Sequence, residues 1–277
     1  MADKPAPLPE VSALFDLSGR VALITGGGGL LGIKHAEAIA EAGGIPVLAD
    51  IDAPRAEAAC VFLRESLKAE AMAVRIDITD PRQVEAAVKD IDSRYGRVDI
   101  LINNAAMTVK GGGSRYQKYF APFEEYPVEL WEEALRVNLT GTFLVTQAVG
   151  RVMLRRGKGV IVNIASDVGV ISPDHRIYEG QSFNTPLAYA VSKAGIISFT
   201  RFLATYWAPK IRVNSLSPAG VYDGQDPAFV KRLSRLIPLG RMADRDEYKG
   251  AILYLASDAS SFMTGANLIV DGGRTSW

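Results

Sequence analysis

Seven short apolar runs recur along the chain: RVALIT (20–25), IPVLAD (45–50), MAVRID (72–77), VDILINN (98–104), GVIVNIAS (159–166), IRVNSLS (211–217) and NLIVDGG (267–273). Between them lie helix-length segments near 31–42, 53–69, 81–95, 127–156, 187–207 and 244–257. Runs that are apolar throughout, rather than alternating with polar residues, mark strands covered on both faces. Strand-helix alternation then requires right-handed crossovers between parallel strands. The chain therefore reads as α/β, a doubly wound parallel sheet, and its 277 residues suit one domain. Residues 1–16, rich in proline, read as an N-terminal arm to a domain over 17–277.

Several function classes drop out at this point. The 31 basic residues balance 31 acidic ones, so no global field draws in nucleic acid or an anionic membrane. Cys60, the single cysteine, falls among small and apolar residues at helical spacing and reads as a buried structural thiol. The N-terminus lacks the apolar core of a signal peptide, and no run reaches membrane-span length. No Cys/His/Asp/Glu grouping has metal-ligand spacing. A cytoplasmic protein with a small-molecule partner is the expectation.

In doubly wound sheets, ligands bind beyond the carboxyl ends of the strands. The stretch TGGGGLLG (25–32) follows the first strand and opens the first helix, the setting of a dinucleotide turn; Gly27, Gly29 and Gly32 satisfy G-x-G-x-x-G. This is the Rossmann arrangement. Asp50 ends the next strand, where a carboxylate accepts hydrogen bonds from the adenosine ribose hydroxyls and repels a 2′-phosphate, so NAD is expected in preference to NADP. Arg55 is the nearest downstream base. Asp77 fits either an adenine contact or a helix cap within DITDP.

Tyr189 and Lys193, in AYAVSKAG, stand at i and i+4 on one helix face. A phenol titrates near pH 10, too high for base work at neutral pH, and a neighbouring ammonium favours the phenolate. Together TGGGGLLG, Asp50, NNAA (103–106), VNLTG (137–141), IVNIASDVG (161–169), YAVSK (189–193), SPAGV (217–221) and GANLIVDGG (265–273) resemble the short-chain dehydrogenase/reductase family, in order, over residues 18 to 273.

The resemblance implies an NAD-linked dehydrogenase acting on a CH–OH group. It makes Tyr189 the general acid/base and Lys193 the group that lowers its pKa and binds the nicotinamide ribose. It makes Ser166 the hydroxyl that meets the substrate oxygen, and Asn138 the residue whose helix kink holds a relay water. It assigns cofactor contacts to Thr25, Gly26, Gly27, Gly29, Leu30, Leu31 and Gly32 in the turn, and to Asp50, Ile51, Asp77 and Ile78 at the next two strand ends. Asn104, Ala105 and Ala106 follow the fourth strand, and Pro218, Ala219, Gly220 and Val221 the sixth, with Tyr189 and Lys193 completing the set. Members commonly form homotetramers or homodimers, and the tail ending in Trp277 suits such burial.

Four positions depart from the family pattern. Single-domain members place glycine at 30, whereas this chain has Leu30 and the spacing T-G-x-x-G-x-x-G of extended members. The brevity of the chain after Lys193 sides with the single-domain branch. Ala106 and Ala219 replace glycines, and Asp223 stands where threonine is usual.

Loops 111–127 and 172–186 are long and, with 221–245, are expected to wall the substrate site. They carry Arg115, Tyr116, Lys118, Tyr119, His175, Arg176, Tyr178, Gln181 and Asn184. That polarity points to a sugar, sugar acid or sugar phosphate, as do looser resemblances to bacterial sugar-acid dehydrogenases and surface-glycan proteins. The same charges also suit solvated loops. An NAD-retaining epimerase or dehydratase, or a non-catalytic NAD-binding protein, are the alternatives. The second would be expected to lack one of Asn138, Ser166, Tyr189 and Lys193.

Overall fold

All seven strand candidates pair. The computed structural model describes residues 10–107 and 117–277, so the proposed contacts Arg115 and Tyr116, like residues 1–9 of the arm, lie outside the described residues. The strands are β1 (Val21–Thr25), β2 (Ile45–Asp50), β3 (Met72–Arg75), β4 (Ile100–Asn103), β5 (Gly159–Ile164), β6 (Ile211–Pro218) and β7 (Asn267–Val270). They form one parallel sheet in the order β3-β2-β1-β4-β5-β6-β7. The order reverses between β1 and β4, and that switch opens a crevice at the strand carboxyl ends.

The pleat explains the apolar runs, because successive side chains point to opposite faces and each face has its own core. Ala22, Ile24, Leu48, Ile102, Val162 and Leu216 meet helices α1 (Gly32–Glu41), α2 (Ala53–Leu67) and α8 (Lys249–Ala256). Val21, Leu23, Val47, Leu101, Ile161 and Val213 meet α3 (Pro81–Tyr95), α5 (Thr142–Arg156) and α6 (Leu187–Trp207) on the other face. Each valine, leucine or isoleucine among them contributes roughly 1.5–3 kcal/mol by burial. Cys60 is fully buried in the first core, and burial pushes its thiol up to about 11. Among the described residues no helix is long and apolar enough to cross a membrane.

A polar ladder crosses the second core. Asn103 on β4 donates to Thr146 (2.8 Å) and to Asn163 on β5 (2.9 Å), and Asn163 donates to Thr200 on α6 (2.9 Å). The Thr200 hydroxyl donates to the Ile196 carbonyl at 2.9 Å.

Helix boundaries match closely at α1, α2, α3 and α6, and differ elsewhere for local reasons. The segment 127–156 is not one helix: α4 (Val128–Leu135) runs into a π-turn, Arg136–Gly141, before α5. Gly141 lies against Ile78, which would stand 2.7 Å from an added Cβ, and Thr142 donates to the Asn138 carbonyl. Residues 245–248 form a 3-10 turn entered by a capping box of Asp244 and Glu247, so the last helix begins at Lys249. The wall segment 221–245 holds an unanticipated helix, α7 (Pro227–Ser234), started by Asp226 capping the Phe229 amide.

His35, on α1, is fully buried and neither ring nitrogen has a hydrogen-bond partner; Asn104 approaches too loosely for one. Burial pushes the imidazole down to about 3. The unfolded chain therefore takes up a proton near pH 6.5 that the folded chain refuses, and stability falls as pH drops from there toward 3. Chemical denaturation across this range should show a loss of about 2–3 kcal/mol by roughly pH 4.5 in the native chain. His35→Leu should flatten that slope; an unchanged slope would remove His35 as its cause.

Candidate functional site

A cleft of about 820 Å³ opens over the carboxyl edge of the sheet at the switch between β1 and β4. Its floor is the glycine turn, and each close approach there has a steric reason. Gly26 has φ +62°, and an added Cβ would meet the Ala105 Cα at 2.9 Å. Gly27 packs on Leu48, and a Cβ on Gly32 would lie 2.1 Å from the Gly26 carbonyl oxygen. Leu30 demands nothing comparable. Lys68 is the one described non-glycine residue with positive φ, so Leu30 has ordinary backbone and sends its side chain to line the cleft. The departure at position 30 removes no conformation that the turn needs.

Asp50 holds the turn from the end of β2: Oδ2 accepts from the Gly28 amide at 3.0 Å and Oδ1 from the Asp52 amide at 3.1 Å. Its carboxylate lines the cleft beside Ile51 and Arg55. Asp77 also lines it, and its carboxylate accepts from the Thr79 amide and hydroxyl, both at 2.8 Å. The cap of α3 is Asp80, not Asp77. Thr25 lies behind the wall, where its hydroxyl oxygen accepts from the Asn104 and Ala105 amides at 3.0 Å and ties β1 to β4. Gly26, Gly29, Leu30, Leu31, Ile78, Asn104, Ala105 and Ala106 line the cleft, as do Pro218, Ala219, Gly220 and Val221. Thr25, Gly27 and Gly32 do not.

Ser166, Tyr189 and Lys193 share the opposite wall. Ser166 follows β5; Tyr189 and Lys193 project from the first two turns of α6. Lys193 is buried, donates to the Ile164 carbonyl at 2.7 Å and sits 5.5 Å from the centre of the Tyr189 ring. Burial pushes the ammonium down to about 8. Burial also pushes the Tyr189 phenol up to about 12, with Asp167 raising it further and the Ser166 hydrogen bond opposing. The lowering expected from Lys193 is not among the influences on the phenol; burial dominates.

Asn138 does not line the cleft; it braces the wall from behind. In the π-turn its Oδ1 accepts from the Met107 amide at 2.7 Å, and its Nδ2 donates to the Ser192 hydroxyl at 2.9 Å, which donates in turn to the Tyr189 carbonyl at 2.7 Å. Single π-turns inside helices recur at functional sites. Here one amide joins the exit of β4 to the helix carrying Tyr189.

The loops contribute less charge than expected. His175 and Arg176 are exposed, Arg176 pairs with Asp174, and Lys118 is exposed. Gln181 donates to Asp226, and Tyr119 is buried against Glu133. Tyr178 and Thr185 do reach the cleft, with Ile177, Phe229, Leu233 and Met242 making an apolar wall. Asp223 lines the rim. Sequence reasoning missed a buried ion pair, Asp167 with Arg274, at 2.5 Å and facing the same cleft. Its partners are 107 residues apart, and no local pattern marks them.

Comparison with known proteins places this geometry among oxidoreductases. A family model described as enoyl-(acyl carrier protein) reductase matches residues 30–275. A D-threitol dehydrogenase of Mycolicibacterium smegmatis is 36% identical over 274 residues, covering 96% of this chain and 97% of the relative. An NADP-dependent mannitol dehydrogenase of Alternaria alternata is 34% identical, covering 95% of each. The crystal structure of a short-chain type dehydrogenase/reductase from Mycobacterium marinum superposes with a TM-score of 0.83 at 34% identity, covering 96% of this chain and 99% of that one.

Proposed function

The chain belongs to the short-chain dehydrogenase/reductase family, and from that premise we propose that it interconverts a secondary alcohol and a ketone on a polyhydroxylated substrate, with NAD as hydride carrier. The observation that carries this reading is the meeting of Ser166, Tyr189 and Lys193 on one wall of a cleft floored by the glycine turn. The cleft fits a dinucleotide: Gly26 and Gly29 line it with backbone, glycines at 27 and 32 let the turn pack closely behind that lining, and the Asp50 carboxylate faces the cleft. The turn and the residues after β4 and β6 would hold it, with Asp50 toward the ribose. Bound there, the nicotinamide supplies hydride acceptance or donation at the carbinol carbon.

The chain's own residues handle the proton. Tyr189 takes the carbinol proton in oxidation and returns it in reduction. Lys193, as ammonium, favours the phenolate. The Ser166 hydroxyl turns from Asp167 to the substrate oxygen and holds it toward Tyr189. Asn138 fixes the height of α6 through Ser192. The relatives named for threitol and mannitol support a polyol or its keto form. A cytoplasmic homotetramer or homodimer is part of the same reading; the stacked and exposed Phe202 and Tyr206 on α6 supply a face for self-association.

The test is nicotinamide absorbance with polyols, ketoses, sugar acids and sugar phosphates, using NAD and NADP in parallel and Tyr189→Phe as control. NAD-linked turnover that the substitution removes supports the reading. Bound NAD that stays oxidation-neutral while a sugar is epimerised would replace it with the epimerase alternative. One relative is named NADP-dependent, so the cofactor choice rests on Asp50. Asp50→Asn keeps an acceptor for the Gly28 amide but removes the charge. The ratio of kcat/KM with NADP to that with NAD should rise about tenfold, equivalent to roughly 1.4 kcal/mol. An unmoved ratio would take cofactor selection away from Asp50.

A further inference from the structure

Arg274 is brought into the cleft by the segment VDGG. Gly272 and Gly273 take positive φ (65° and 90°), while the Asp271 carboxylate accepts from the Gly273 amide at 2.8 Å and the Thr275 amide at 2.7 Å. The turn carries the guanidinium against the substrate wall, where the side chain is 6% exposed. A guanidinium has five N–H donors in a fixed fork. Among the described residues its one side-chain hydrogen bond to the protein runs from Nη1 to Asp167 Oδ2 at 2.5 Å, and the other donors meet no described acceptor. Those donors border the cleft, where a ligand oxygen can take them.

We propose that Arg274 binds the oxygen next to the reacting carbinol, and that the substrate is therefore a neutral vicinal diol or the matching hydroxyketone. This rests on the alcohol–ketone reading above. The Asp167 carboxylate sets the spacing: Oδ1 accepts from the Ser166 hydroxyl at 2.9 Å and Oδ2 from Arg274, so the two groups that meet substrate sit side by side on one bridge. Neighbouring hydroxyls on a carbon chain suit such a pair of hooks. The same carboxylate sets the charge preference. It already neutralises Arg274, so a sugar acid or phosphate would displace an anion already in place and lie against it. Glu133 and Asp223 line the same cleft. The apolar wall of Ile177, Phe229 and Leu233 receives the carbon backbone.

The experiment compares a vicinal diol with the mono-alcohol of equal length, butane-2,3-diol against butan-2-ol, and a neutral tetritol against its aldonic acid. Native protein should prefer the diol in kcat/KM by a hundredfold or more, since a site built to hydrogen-bond a hydroxyl rejects the analogue lacking it. Arg274→Met should bring that ratio close to one, chiefly through KM for the diol. Asp167→Asn with Arg274→Met removes both charges, avoids an orphaned buried carboxylate and should show the same compressed ratio in a folded protein. Equal losses on diol and mono-alcohol would make the pair merely structural and overturn the proposal. So would preference for the aldonic acid. Saturation-transfer NMR of the tetritol on the NAD-loaded protein reads binding without turnover. Tetritol bound by native protein but not by the double variant upholds Arg274 even where the dehydrogenase reading fails; equal binding by both rejects it.

Discussion

Tyr189→Phe is expected to lower kcat by about a thousandfold, within the range that positioned acid–base groups supply, while NAD binding stays within a fewfold. The ring keeps its place on α6 and its contact with the Lys193 ammonium, so only the proton-carrying oxygen is lost. The same phenol fixes the pH dependence. Burial pushes it up to about 12 and pushes Lys193 down to about 8. Oxidation needs the phenolate, so kcat/KM for the alcohol should climb with pH through the neutral range. Reduction needs the phenol and should not climb with it. Stopped-flow and steady-state rates against pH, in both directions, check this. Retention of a tenth of native activity in the Phe variant would move the proton chemistry to another group.

Gly32→Ala should be the most damaging single methyl in the cofactor floor. The new Cβ would lie 2.1 Å from the Gly26 carbonyl oxygen and 2.9 Å from the Gly27 Cα. That carbonyl cannot swing aside cheaply, because it accepts from the Gly29 amide at 2.9 Å and from the Asn104 amide group at 3.1 Å. Forcing apart such packing costs about 1–3 kcal/mol or more, and the distortion falls where the backbone must cradle a ligand. A Kd for NAD raised about a hundredfold, by calorimetry, is the expected result, with Tm lowered by several degrees. Gly250→Ala is the control. Nothing lies within 4 Å of its Cβ position in α8, and alanine there should leave NAD affinity unchanged and Tm equal or higher. Equal behaviour of the two variants would show that the turn has more freedom than its contacts imply.

Much of this was legible because the signals are local. The parallel sheet announced itself in strands such as ALI and ILIN, apolar on both faces, and α2 and α3 in the pairs Asp52 with Pro54 and Asp80 with Pro81 just inside the helix start. Local cues for two misplaced boundaries were present too. Asp226 followed by Pro227 marks α7 inside a segment read as loop, and Asp244 with Glu247 is a capping box at the start of a segment read as helix from 244. The π-turn at Asn138 had no such local cue, only the helix kink that the family resemblance implied; Gly141, at its end, packs against Ile78 from another element. Lys193 illustrates a different limit. Spacing puts it beside Tyr189, but only the folded environment shows burial raising the phenol. Arg274 is the extreme case, a residue just beyond β7 whose partner, Asp167, lies in the turn just beyond β5.

The Asn103–Asn163–Thr200 ladder has a mechanical consequence for catalysis. Thr200 lies seven residues beyond Lys193 and eleven beyond Tyr189, so all three fall on one side of α6. A helix packed only on aliphatic side chains is free to slip or roll by small amounts with little change in energy. One that must present a hydroxyl to a buried amide is indexed like a shaft with a locating pin. Rotation of α6 by a fraction of a turn would swing the phenol off the carbinol and, in the same motion, orphan the Asn163 amide in a dry interior. Alignment of the catalytic helix is thereby guarded by a pair of groups that never touch a substrate.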